Sequence, residues 1–145
     1  MFDLLGLYEH SIDEKGRLTI PSAYRGDLIK GLVITRGRQP YLNVFPLETW
    51  EALIQTFETL PVYTLSRPAN LRRLVLAHAV KTLPDSHGRV RIPDHLLQYA
   101  SIKGQVVLAG VGGHIELWAP DLWEKKLQEL ESISNEEVQD DMLSI

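Results

Sequence analysis

Asp, Gly and Arg stand in the same register twice in this chain. "DEKGRLTIP" runs from Asp13 to Pro21, and "DSHGRVRIP" runs from Asp85 to Pro93. Two chemistries suit such a pattern. A pair of repeat-related carboxylates, Asp13 and Asp85, can share one proton and act as an acid–base dyad. Alternatively, each Asp opens a turn, accepts backbone N–H groups and pairs with the arginine four residues on. The second reading uses more of the motif. Asp13 suits the first position of a type I turn, and Gly16 supplies the positive φ that closes it. Asp85 and Gly88 repeat both roles. No residue pattern marks a substrate cleft, so catalysis is the weaker reading and the chain is expected not to be an enzyme.

A planar guanidinium fork suits a phosphate or the edge of a guanine. Lys15 and Arg17 lie at the tip of the first loop or beside it, away from the core face. Arg25 follows in the next helix, and Arg36 and Arg38 lie in the next hairpin turn. The second copy is less basic: His87 stands in place of Lys15, and "GVGG" in place of "TRGRQ". On charge the first copy is the DNA-facing one and the second more structural, although Arg89 and Arg91 keep it in play. Other chemistries find little support. The five histidines show no HxxxH or HExxH spacing, so no metal site is expected. "GVGGH" lacks the Walker lysine and reads as a hairpin turn, and no GxSxG elbow is present. No cofactor is expected.

The elements that must position these residues also repeat. Each motif is followed by a short helical piece ("SAYRGDLIKG", "DHLLQYASIKG"), an apolar strand ("LVITRG", "QVVLAGVGG") and a second strand ("YLNVFP", "HIELWAP"). Each copy ends in a tryptophan-bearing helix ("LETWEALIQTF", "DLWEKKLQEL"). "YEHSIDEKGRLTI" reads as a hairpin broken at the loop. Leu18 and Ile20, like Val90 and Ile92, face the core, with Arg17, Thr19, Arg89 and Arg91 opposite them. Between the copies "SRPANLRRLVLAHAV" reads as a helix with Leu71, Leu74, Val75 and His78 on one stripe. A unit of about 60 residues is small for a core of its own. Two copies sharing one core about a pseudo-twofold axis predict an α+β fold, with short strands from both repeats forming a small barrel flanked by helices.

Net charge is −4, but it is unevenly spread. From Asp121 onward eight acids face two lysines, whereas residues 1–120 carry 13 basic against 11 acidic residues. A mildly basic body can offer phosphate a favourable local potential despite an acidic tail. No apolar run approaches the roughly 18 residues of a membrane span. The N-terminus reads unlike a secretory leader, and with no cysteine in the sequence a cytoplasmic address is expected.

Taken together, the doubled "DEKGR…IP" and "DSHGR…IP", the opening "GLYEHSID", the "VFPLETWEAL" segment and the closing "IELWAPDLWEKKL" resemble the MraZ family of bacterial transcriptional regulators. The likeness spans roughly residues 1–130. It implies two SpoVT/AbrB-like swapped-hairpin repeats, each with a DxxxR signature. These would occupy residues 1–60 and 84–131, joined by a linking helix over 61–83 and followed by a frayed or disordered acidic tail over 132–145. It further implies binding of double-stranded DNA at tandem repeats upstream of the division and cell-wall gene cluster, by a homo-oligomeric ring, with no membrane partner. A nucleoid-associated location follows. The DNA-contacting DxxxR arginine falls on Arg17, with Lys15 beside it, and its second counterpart on Arg89; His87 departs from an all-basic loop. The alternative is an AbrB-like oligomerisation or protein-interaction module without direct DNA readout.

Overall fold

The residues on either side of each loop alternate between core and solvent, and this alternation builds the centre of the molecule. Leu18, Ile20, Val90 and Ile92 are buried, while Arg17, Thr19, Arg89 and Arg91, which alternate with them, stay accessible to solvent. The structure, a computed structural model, describes residues 2–59 and 66–133. Its elements run β1 (Leu4–Ser11), β2 (Arg17–Thr19), α1 (Ser22–Leu28), β3 (Leu32–Arg36), β4 (Leu42–Pro46) and α2 (Leu47–Glu58). Then follow α3 (Ser66–Val75), β5 (Val80–Thr82), β6 (Arg89–Arg91), α4 (Asp94–Tyr99), β7 (Gln105–Gly112), β8 (Ile115–Trp118) and α5 (Pro120–Glu131). Pro21, Pro46 and Pro93 occupy the N-cap positions of α1, α2 and α4, and Pro120 opens α5, where its missing N–H costs nothing.

Eight antiparallel strands form a six-stranded sheet, ordered β1-β7-β8-β4-β3-β5, and a two-stranded ribbon, β2-β6. The order is symmetric about the β8–β4 contact. On one side β1 of the first repeat pairs with β7 of the second; on the other, β5, which lies in the 61–83 segment but precedes the second loop as β1 precedes the first, pairs with β3 of the first. Each repeat thus lends a strand to its sibling. The shared core follows: Leu18, Ile20, Leu28 and Ile34 pack in one cluster with Val90, Ile92, Leu96, Val106 and Leu108. Each such side chain contributes about 1.5–3 kcal/mol by leaving water, and pooling the two sets gives a larger core than one small repeat could build by itself.

Two sequence expectations change. The chain turns at Asp13–Gly16, but β1 and β2 do not zip into a hairpin. One bridge, Ile12 to Leu18, joins them, and β2 pairs with β6 instead. The strands make two hydrogen-bonded sets, the six-stranded sheet and the ribbon. Finally, the helix between the repeats ends at Val75, and β5 begins at Val80. Leu71 and Leu74 are exposed, and His78 lies beyond the helix, with Nδ1 3.1 Å from the Leu74 carbonyl oxygen. The cause is the sheet edge: β3 takes Val80–Thr82 as its outer partner, and the Thr35 hydroxyl donates to the Val75 carbonyl (2.6 Å), holding the helix end there. Residues 134–145 of the acidic tail lie outside the described residues.

The first edge is fixed by Tyr24, whose hydroxyl lies 3.0 Å from the carbonyl oxygens of both Leu5 and Gly6. Gly110 makes room for this contact. A Cβ there would meet the Leu4 carbonyl oxygen and the Tyr24 hydroxyl, each at 2.7 Å. Gly110→Ala should therefore destabilise the fold by about 1–3 kcal/mol in urea unfolding. Gly104→Ala, whose added methyl meets nothing within 4 Å, should stay within about 0.5 kcal/mol of the parent. Equal behaviour of the two variants would remove the close approach as a constraint.

Candidate nucleic-acid interface

Each loop is organised by its aspartate. Asp13 Oδ1 accepts the backbone N–H groups of Lys15 (2.9 Å) and Arg17 (2.8 Å), while Oδ2 accepts Arg17 Nε at 2.7 Å. Asp85 repeats the set, with the N–H groups of His87 and Arg89 and the Arg89 Nε all at 2.9 Å. The backbone closes the same turn in both: the Gly16 and Gly88 N–H groups donate to the carbonyls of Asp13 and Asp85. Both glycines have positive φ, 77° and 74°, which favours glycine over any side-chain-bearing residue. Asp13 and Asp85 are thus structural anchors, each bonded to its own arginine.

These donors hold both carboxyls below the ordinary aspartate value. For Asp13 the largest cause is the Arg17 backbone N–H, opposed by desolvation and reinforced by the Arg17 guanidinium and the Lys15 N–H. For Asp85 it is the Arg89 backbone N–H, again opposed by desolvation and reinforced by His87 N–H and the Arg89 side chain. Each arginine is therefore tethered along its Nε edge. Arg17 and Arg89 keep their Nη groups without a protein acceptor among the described residues, aimed from a fixed base.

The ribbon joins the two loops. Its register sets Leu18 against Val90 in the core, with Arg17 opposite Arg91 and Thr19 opposite Arg89 on the outer face. Directly opposed like charges repel, and an anion laid across them relieves the repulsion. Arg91 is exposed, and no carboxylate within ion-pair distance holds it among the described residues. The sequence marks Arg91 only as an outward residue that, with Arg89, keeps the second copy in play. The alternation of "GRVRIP" already placed it outward, but its cross-strand neighbour depends on an exchange of strands that the sequence does not display.

Other candidates go elsewhere. Lys15 is exposed at the tip of the first loop. Arg25 donates Nε to the Ile20 carbonyl (3.0 Å), and its guanidinium lies against Gly88, in the loop of the other repeat. Arg36 stacks over the Tyr99 ring, 4.2 Å from its centroid, in a turn that the Tyr99 hydroxyl ties to the Gly37 and Gln39 carbonyls. Arg38 is exposed in that same turn. No hydrogen bond or ion pair among the described residues links Arg36 or Arg38 to either DxxxR loop. Among the described residues, no three His, Cys, Asp or Glu side chains are grouped to hold a metal ion, and no helix is long and apolar enough to cross a membrane.

Comparison with known proteins agrees with this doubled architecture. The family model of the MraZ protein, antitoxin-like, matches residues 4–73 and again residues 75–145. A transcriptional regulator MraZ of Herpetosiphon aurantiacus is 42% identical over 123 residues, covering 85% of each chain. One from a Roseiflexus species is 38% identical over 128 residues, 88% of this chain and 89% of its own. A third, from Caldanaerobacter subterraneus, is 38% identical over 122 residues, 84% of this chain and 85% of its own.

The lowered carboxyls give the loops a pH dependence with a defined sign. A carboxyl whose value falls on folding stabilises the loop above the ordinary value, and the benefit is lost as pH drops through the depressed folded one. Carboxyl NMR titration should place Asp13 and Asp85 below the ordinary aspartate value. The loop amides should keep their shifts down to about pH 4 and change only at lower pH. Ordinary titration of both carboxyls would contradict the bonding described.

Proposed function

The chain belongs to the MraZ family, and on that premise we propose that it is a non-enzymatic, DNA-binding transcriptional regulator. The observation that carries this reading is the loop in which Asp13 holds Arg17 by one edge and leaves its Nη groups unused. Lys15 sits two residues away on the same tip. A guanidinium fixed in this way meets a phosphate, or the major-groove edge of a guanine, with little ordering left to do. Its relatives carry the name transcriptional regulator.

The finer features follow the same family reading. The exchanged pairings, β1 with β7 and β5 with β3, support the swapped-hairpin arrangement of AbrB-like repeats. The target is a set of tandem repeats upstream of the chain's own operon, the division and cell-wall gene cluster, bound in the cytoplasm at the nucleoid. Binding is multivalent, by a ring of subunits. The open edges of the sheet favour self-association: among the described residues β1 and β5 each have one side unpaired, and Leu5, Leu7, Val111 and Leu83 are at least half exposed. Each subunit alone binds weakly, and tethering to successive repeats raises avidity by about 10²–10⁴.

In an electrophoretic shift on the DNA upstream of its own gene, Arg17→Ala should abolish binding. Light scattering should give the variant the parent's mass, several times that of one chain. Parent binding should weaken steeply with salt, log K falling by about 0.9 per log unit of salt for each phosphate engaged. A shift by Arg17→Ala equal to the parent's, or a flat salt response, would contradict the reading.

A further inference from the structure

The two loops look unequal in sequence, since only the first carries Lys15. In the folded molecule each loop receives an arginine from the opposite repeat. At the first loop, Ile92 N–H donates to the Gly16 carbonyl (2.8 Å) and Arg91 stands directly across the ribbon from Arg17. At the second, Ile20 N–H donates to the Gly88 carbonyl (2.8 Å) and the Arg25 guanidinium rests on Gly88. A Cβ on Gly88 would lie 2.8 Å from Arg25 Nε and 3.0 Å from its Cζ, so glycine at this position also makes the seat for the arginine. Arg25 has no carboxylate within ion-pair distance among the described residues.

The donors are not each other's counterparts. Where the second loop has Arg25, the first has Leu97, whose Cδ1 lies 3.8 Å from the Cβ position of Gly16. Where the first loop has Arg91 across the ribbon, the second has Thr19. The charges come out even. Around the first loop Lys15, Arg17 and Arg91 stand against Asp13 and Glu14; around the second Arg25 and Arg89 stand against Asp85. Each end carries one excess positive charge, with His87 counted as neutral. That arithmetic removes the basis for treating the second loop as merely structural.

We propose that each loop is a composite phosphate clamp, made of one aspartate-held arginine and one arginine donated by the other repeat: Arg17 with Arg91, and Arg89 with Arg25. The ligand is a backbone phosphate of double-stranded DNA, and the proposal rests on the DNA-binding reading above. In each clamp Nε of the held arginine is engaged by carboxylate, and in the second clamp Nε of the donated one is engaged by the Ile20 carbonyl. The Nη groups are left for the anion, which in the first clamp also screens the opposed cations of Arg17 and Arg91. Neither repeat holds a complete clamp by itself.

The test uses Arg25→Leu and Arg91→Thr, each importing the residue that the pseudo-twofold already places at the equivalent position, so both fit the fold. Fluorescence anisotropy on a duplex of the chain's own upstream DNA is recorded across a salt series. Each variant should bind on the order of tenfold more weakly, and lower the salt slope by about one, with unchanged assembled mass. Arg25→Gln, which keeps a donor for the Ile20 carbonyl but no charge, should reproduce the slope of Arg25→Leu. Parental affinity and slope in Arg25→Leu and Arg91→Thr, while Arg17→Ala still abolishes binding, overturns the composite clamps and leaves the DNA reading standing. Parental binding in all three overturns the DNA reading itself.

Discussion

A carboxylate that accepts three N–H groups from the next four residues is a small constraint with long reach. Asp13 and Asp85 each fold their loop around two backbone amides and then seize the arginine that begins the following strand. The turn is thereby closed without help from a paired hairpin, which β1 and β2 do not make beyond a single bridge. Because the turn holds itself, β2 and β6 are free to leave their own repeats and pair with each other. Everything on the outer face, the spacing of the arginines above all, follows from that ribbon.

The exchange of strands also explains how so short a chain gathers one core. Leu18 and Val90 meet across the ribbon, and the six-stranded sheet draws strands from both copies. Stability and surface chemistry are coupled here. The alternation that sends Leu18, Ile20, Val90 and Ile92 inward is the same one that sends Arg17, Thr19, Arg89 and Arg91 outward. A register slip of one residue would bury the arginines and expose the core, so the interface is held in place by the hydrophobic effect.

Much of this was legible in the sequence because it is local. The turn roles of Asp13, Gly16, Asp85 and Gly88, the helix starts at proline and the inward and outward faces of the short strands all depend on a few consecutive residues. Pairing between repeats does not. Nothing in "DEKGRLTIP" says that β2 prefers β6 to β1, so the hairpin expected of it gave way to exchanged strands. β5 was hidden inside a helical pattern, since three residues of alternation cannot outweigh "LRRLVLAHAV". Arg25 was counted with the first loop for its position in the chain, yet space assigns it to the second. The stacking of Arg36 on Tyr99 was equally hidden, because the two residues are distant in sequence.

Orientation, more than charge, is what the loops provide, and the two effects have opposite signs in one variant. Asp13→Asn removes a negative charge from the edge of the surface that would face DNA. A purely electrostatic surface should therefore bind duplex as tightly as the parent or more tightly. An arginine that must be held by its carboxylate should instead lose its aim. The affinity of Asp13→Asn for the chain's own upstream DNA, measured at one fixed salt concentration, decides between them. This account predicts weaker binding by the variant, and binding equal to or tighter than the parent's would contradict it.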